Sequence, residues 1–337
     1  MPDLRLSILD QSPIPEGRSR GEALRNTIDL ARLADGLGYT RYWVAEHHGT
    51  QGLACHSPEA LIGPIAAATS RLRVGSGGVM LPHYSPFKVA ETFSMLSGLF
   101  PGRIDLGIGR AAGTSPMVAY ALQRDRRQAA PDDFRDQLDE LLALFSNRPV
   151  PDKRFLRLGS MHLDSPEVWL LGSSGDSAVW AADLGLPYAF ADFINPGGVP
   201  MARCYRENFR ASGLLNAPRQ AVAAWAICAE TDEEAERLSL SFRMMMTMLF
   251  RGQTIPVPTV EKAERFLKDE GLLSGETPRG RRILTGTPQR VRESIETLAA
   301  DYQAEEVLIV NIMHDHQARR HSYELIAEAF GLNARNG

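Results

Sequence analysis

LRVGSGGVMLPHYSPFKVAETFSMLSGLFPGRIDLGIGR, residues 72–110, sets two aliphatic runs, 72–81 and 103–109, on either side of an apolar helical stretch, 87–100. Two strands joined through a helix of this length run parallel, because the crossover returns the chain to the same end of the sheet. The same alternation extends in both directions. Further strand candidates are LRLSILD (4–10), RYWVAE (41–46), VWLLG (168–172), YAFADF (188–193), AVAAWAICA (221–229) and EVLIVNI (306–312), eight in all. Helical patterns lie between them, such as GEALRNTIDLARLADGLG (21–38), with Leu24, Ile28, Ala31 and Leu37 on one face and Gly38 as its stop. Eight such units predict an α/β fold of the closed (β/α)8 TIM-barrel kind, although an open doubly wound sheet has similar local patterns. Barrels of this length commonly form one domain, so 1–337 is read as a single unit. Two interruptions, 146–166 after the fourth strand and 248–285 after the seventh, read as irregular insertions, either covers over a site or solvent-exposed decoration.

The bulk properties exclude several classes. With 44% hydrophobic and 23% charged residues, the chain can bury a large core. Its 37 basic and 41 acidic side chains leave a net charge of −4, which suits no nucleic acid partner. Cys55, Cys204 and Cys228 are an odd, widely spaced set without a C-x-x-C pair, so neither a disulfide framework nor a thiolate zinc site is expected. The start, MPDLRLSILDQSP, carries charges where a signal peptide has an apolar core, and no run is long enough to span a bilayer. A cytoplasmic protein that does not enter membranes is expected.

In a barrel, chemistry gathers at the carboxyl ends of the strands. That rule selects Asp10, Gln11, Glu46 to His48, His83, Tyr84, Arg110, Ser173, Ser174, Asp192 and Asn311 to His316. Successive side chains of an extended segment point to opposite faces, so only one of His47 and His48 can look into the mouth; the competing reading is a hydrogen-bonded structural imidazole. The pair Gly77 and Gly78 inside a strand marks a bulge or a close approach, and without β-carbons the two glycines offer a bed for a flat ring. GIGRAAG (107–113) is one residue too long for a dinucleotide fingerprint, but Arg110 at a strand tip suits a phosphate. VWLLGSSGDSAVWAADLGLP (168–187) takes a strand through Gly172, Ser173 and Ser174 into a helix starting near Asp176. The N–H groups of that helix start, with the hydroxyls of Ser173, Ser174 and Ser177, can hold a phosphate; ordinary N-capping is the alternative, and Asp176 is expected to point away. Adjacent histidines together with His314 and His316 leave a metal-dependent hydrolase as a remote reading. Met244, Met245, Met246 and Met248 read as core packing.

WVAEHHG, the 72–110 stretch and LGSSGDSAVWAADLGLPYAFADF together resemble the bacterial luciferase-like monooxygenases, from LSILDQSP through NIMHD. The resemblance implies a (β/α)8 barrel that binds reduced FMN, which reacts with dioxygen to give a flavin hydroperoxide and oxygenates a small organic substrate. It implies that His47 is the catalytic imidazole, that a non-proline cis peptide falls at Gly77 and Gly78, and that Arg110, Ser173, Ser174 and Ser177 contact the phosphate. Gly109 stands where the luciferase catalytic subunit has a reactive cysteine, and Asp132 where it has a second phosphate-binding arginine; light emission is therefore not expected. Some relatives use the deazaflavin F420, and a non-catalytic flavin-binding relative is a further alternative. With no nicotinamide fingerprint, a separate flavin reductase is the expected partner. The apolar helices SPEALIGPIAAATS and FKVAETFSMLSGLF offer a self-complementary face for a homodimer.

Overall fold

A computed structural model describes residues 4–110, 115–128, 131–145, 164–273 and 282–332. Its strands are β1 (Arg5–Asp10), β2 (Arg41–Val44), β3 (Arg73–Met80), β4 (Ile104–Gly109), β5 (Glu167–Gly172), β6 (Tyr188–Ala191), β7 (Gln220–Cys228), β8 (Ile283–Gly286) and β9 (Glu306–Val310). All pair in parallel, and β1 joins β9 while β9 joins β7, so eight of the nine close into the expected barrel. The helices are α1 (Arg20–Leu37), α2 (Pro58–Ala68), α3 (Pro86–Leu99), α4 (Pro116–Leu122), α5 (Phe134–Phe145), α6 (Gly175–Leu184), α7 (Val199–Glu207), α8 (Asp232–Phe250), α9 (Val260–Asp269), α10 (Pro288–Tyr302) and α11 (His316–Ala329).

The eight strands anticipated from sequence are the eight of the barrel. The 248–285 stretch differs from expectation over its described residues, which carry the end of α8, all of α9 and most of β8; residues 274–281 lie outside the described residues. The reason is the length of β7: β9 pairs with its Ala221–Trp225 part, and β8 takes over at Trp225–Cys228, satisfying backbone groups that β9 does not reach. Of the 146–166 insertion, residues 146–163 lie outside the described residues.

Period-two alternation divides the core in two. Leu6 and Ile8 of β1, Tyr42 and Val44 of β2, and Val307 and Ile309 of β9 face the helices, whereas Leu9, Trp43 and Leu308 point inside the barrel. The buried side of α1 is Ala23, Thr27, Leu30, Ala31 and Ala34, while Leu24, Ile28 and Leu37 are only partly covered, a face rotated from the one expected. A capping box of Ser19 and Glu22 starts this helix, and Gly38, at φ 89°, ends it. The methionines of α8 are packed as expected, Met245 and Met246 against the barrel interior and Met244 against α9.

The amino-terminal end of the barrel is plugged by charge. Arg41, 2% exposed, places Nη1 at 2.7 Å from Asp105 and 3.0 Å from Glu167, and Nε at 2.9 Å from Glu306. Arg73 also binds Asp105, Arg219 binds Glu167 at 2.7 Å, and the indoles of Trp43 and Trp169 donate to Asp105 and Glu167. Burial disfavours ionisation of Glu167, but Arg41, Arg219 and Arg73 outweigh it and hold the carboxyl below its usual range. Removing one member of such a network strands the others' charges in the interior. Arg41→Ala is therefore expected to lower stability by about 3–5 kcal/mol, measured as a shift of the denaturant midpoint.

Candidate functional site

At the opposite end, the strand tips surround a cavity of about 490 Å³, a usual size for a small-molecule site. Gln11, Glu46, His47, Gly77, Gly78, Arg110, Gly172, Ser173, Ser174 and Ser177 all line it. Every residue selected from sequence as catalytic or cofactor-binding is thus on one wall or another. Other strand-tip candidates are engaged elsewhere. Asp10 pairs with Arg319 at 2.7 Å and Asp192 accepts from the Tyr302 hydroxyl at 2.8 Å. Asn311 donates to the Ala226 carbonyl, and His316 lies 2.9 Å from Asp29.

The Glu-His-His stretch divides into one cavity-lining imidazole and its mounting. Glu46 is 2% exposed. Its Oε2 accepts from the Met80 N–H at 2.9 Å, and its Oε1 accepts from the Tyr84 hydroxyl at 3.0 Å and lies 2.7 Å from His48 Nε2. One carboxylate therefore fixes the end of β3 and the approach to α3 against the loop after β2. His47 faces the cavity between them. Its N–H donates to the Cys55 carbonyl at 3.0 Å, its carbonyl lies 2.7 Å from His56 Nδ1, and its own Nδ1 has no hydrogen-bond partner. Desolvation, reinforced by the neighbouring His48, pushes the His47 imidazole down to about 4. At neutral pH it is an uncharged base.

The Gly77–Gly78 peptide is cis, and the β3–β4 register shifts between Gly77 and Val79, so a bulge is present too. A β-carbon on Gly77 would stand 2.4 Å from Leu9 Cδ1, and one on Gly78 would stand 2.7 Å from the Gly107 carbonyl oxygen. The Gly107 backbone thus leaves no room for a side chain at 78, and Leu9 and Trp43 crowd one at 77.

The serine loop is built in the same way. A β-carbon on Gly172 would lie 2.1 Å from Ser177 Oγ. That hydroxyl donates to the Ser174 carbonyl at 2.8 Å and shares a hydrogen bond with the Tyr188 hydroxyl at 2.9 Å. Contrary to expectation, the Ser177 side chain is already committed to the protein. Ser174 is the N-cap of α6 but makes no side-chain capping bond, and the first-turn N–H groups of the helix lack intrahelical acceptors. Asn195 ties the loop down by donating to the Ser173 carbonyl at 2.9 Å. Arg110 lies over the Trp180 ring at 5.4 Å and, against the expectation that Asp176 points away, places Nη2 at 3.3 Å from the Asp176 carboxylate. Asp132 is exposed and does not line the cavity.

Sequence reasoning missed the apolar walls, formed by Trp43, Met80, Phe134, Trp180, Phe193 and Ile194. Trp43 sits inside RYWVAE, three residues before Glu46 and on the inward side of the strand, which was the available signal. Phe134 comes from α5, and nothing local in the sequence directs it to the site.

Residues 4–304 match the family described as luciferase-like monooxygenase. The chain belongs to the luciferase-like monooxygenase family. Among relatives, the N-acetyl-S-alkylcysteine monooxygenase of Bacillus subtilis is 37% identical, over 97% of this chain and 98% of its own length. The solved structure of apo-MsnO8 is 40% identical, covers 98% of this chain and 99% of its own, and superposes with a TM-score of 0.89. The oxygenating constituent of 3,6-diketocamphane monooxygenase from Pseudomonas putida, solved in complex with FMN, shares the fold at a TM-score of 0.71 and 22% identity, covering 97% of this chain and 98% of its own.

Within this luciferase-like chain the buried carboxylate is the most exacting element. Glu46→Ala leaves a partly buried N–H and a partly buried hydroxyl without their acceptor, and is expected to cost about 1–3 kcal/mol. Glu46→Gln keeps an acceptor for Met80 and is expected to cost less. Thermal unfolding of the two variants side by side checks the order.

Proposed function

We propose that this chain is an FMN-dependent monooxygenase that uses reduced flavin and dioxygen to oxygenate a small organic substrate. The observation carrying the proposal is that one cavity is lined both by a neutral imidazole, whose buried Nδ1 has no partner, and by Arg110, Ser173, Ser174 and the start of α6, groups that suit an anion. The fit to a phosphorylated flavin is good: these groups supply one cation, hydroxyls and helix N–H groups, and the wall between them and His47 is apolar and glycine-lined. Reduced FMN, when bound, supplies the electrons that activate dioxygen.

The residues themselves do four things. Arg110, Ser173, Ser174 and the α6 N–H groups hold the phosphate. Trp43, Leu171, Phe193 and Ile194 exclude water from the space beside the ring, where an apolar substrate group is accommodated. Glu46 fixes the position of the loop. The His47 imidazole accepts or returns the proton that the reaction moves. The thioether chemistry named for the Bacillus subtilis relative makes N-acetyl-S-alkylcysteines the first substrates to test. A separate reductase is proposed to supply the flavin, and a homodimer is proposed through α2 and α3, where Met95 and Leu99 are 69% and 68% exposed.

The decisive experiment follows oxygen-dependent turnover with reduced FMN in the wild type and in His47→Ala. Turnover in the variant is expected to fall about 10²–10⁴-fold while FMN affinity stays nearly constant. Binding of F420 in place of FMN, or unchanged turnover in the variant, overturns the assignment. The pH dependence follows from the lowered basicity of His47. Its neutral form persists as pH falls from 6.5, so its limb of kcat/KM descends near pH 4 rather than near 6.5. Between those values the unfolded chain takes up a proton that the folded state refuses, so stability falls as pH drops through that window.

A further inference from the structure

We propose that Asp176 is a counterweight in the phosphate corner: its carboxylate competes with the flavin phosphate for Arg110 and keeps the cofactor exchangeable. This rests on the FMN reading above and adds a residue that sets affinity. Arg110 is the only arginine or lysine lining the cavity among the described residues. Asp176 does not line it, yet it holds Arg110 Nη2 at 3.3 Å.

The exposure of the pair decides what it does. The Arg110 and Asp176 side chains are 41% and 62% exposed, unlike the fully enclosed Arg41–Asp105 pair, so the contact is exchangeable with an anion from solution. Trp180 keeps the guanidinium in place when the carboxylate lets go, because the ring face lies under it at 5.4 Å. The carboxylate also stands in the first turn of α6, where its charge offsets the positive end of the same helix whose N–H groups face the phosphate. Both effects lower the positive potential available to a dianion. A flavin that a reductase delivers and takes back must leave the site each cycle, and a strong grip would oppose that. Tight retention calls for a neutral residue at this position; rapid exchange calls for an acid.

The test is equilibrium binding of FMN and of riboflavin, which lacks the phosphate, to wild type, Asp176→Asn, Arg110→Gln and the double variant. Asp176→Asn is expected to tighten FMN binding about fivefold and to leave riboflavin within about twofold. The gain is expected to shrink at about 1 M salt, where the screening length falls to about 3 Å, and to be largely absent in the Arg110→Gln background. Unchanged or weaker FMN binding by Asp176→Asn, an equal gain for riboflavin, or an undiminished gain without Arg110 overturns the proposal while leaving the flavin reading intact. Failure of the wild type and all variants to bind either flavin overturns the flavin reading, and this proposal with it.

Discussion

Arg41 holds the barrel shut from below. It reaches carboxylates on β4, β5 and β9 from a position on β2, so four strands of the ring meet at one guanidinium. Trp43 and Trp169 sit on this layer, bonded to two of the same carboxylates and packed edge to face at 5.4 Å. The lower half of the barrel is thereby filled and ionically locked. With its strands fixed there, the upper half can remain hollow without collapsing.

That hollow is what the site uses. Ala45, Ala189 and Ala223 point into it where larger residues would close it, and the tips of β2, β3, β4 and β5 bring His47, the glycine pair, Arg110 and the serine loop to its rim. Apart from Arg110, none of these groups relies on a long flexible side chain for its position. Glu46 fixes one wall and Asn195 another, so the distance from imidazole to anion corner is set by backbone geometry.

The legibility of the sequence followed the range of the interactions. Barrel strands were readable because aliphatic runs and their spacing are local, and the site residues because strand tips follow once the barrel is assumed. β8 was not readable. It is four residues long and exists because β7 outruns β9, a relation between segments some 80 residues apart. The charged plug was equally hidden, since Arg41, Glu167 and Glu306 look like ordinary polar residues at the starts of apolar runs until the ring closes. At the site, composition could nominate Ser177 but not show that Tyr188 claims its hydroxyl, and it could flag Asp176 as awkward but not see its partner. Phe134 reaches the cavity from a helix whose placement depends on the whole outer layer.

The close packing of Gly172 on Ser177, whose hydroxyl is bonded to Tyr188, carries an evolutionary consequence. Any side chain at 172 collides with 177, and a residue without a hydroxyl at 177 abandons both the loop carbonyl and the phenol of the next strand. These positions cannot drift one at a time. Among homologues they should change together or not at all, so the serine loop would diversify through its outward neighbours while its inner hinge stays frozen.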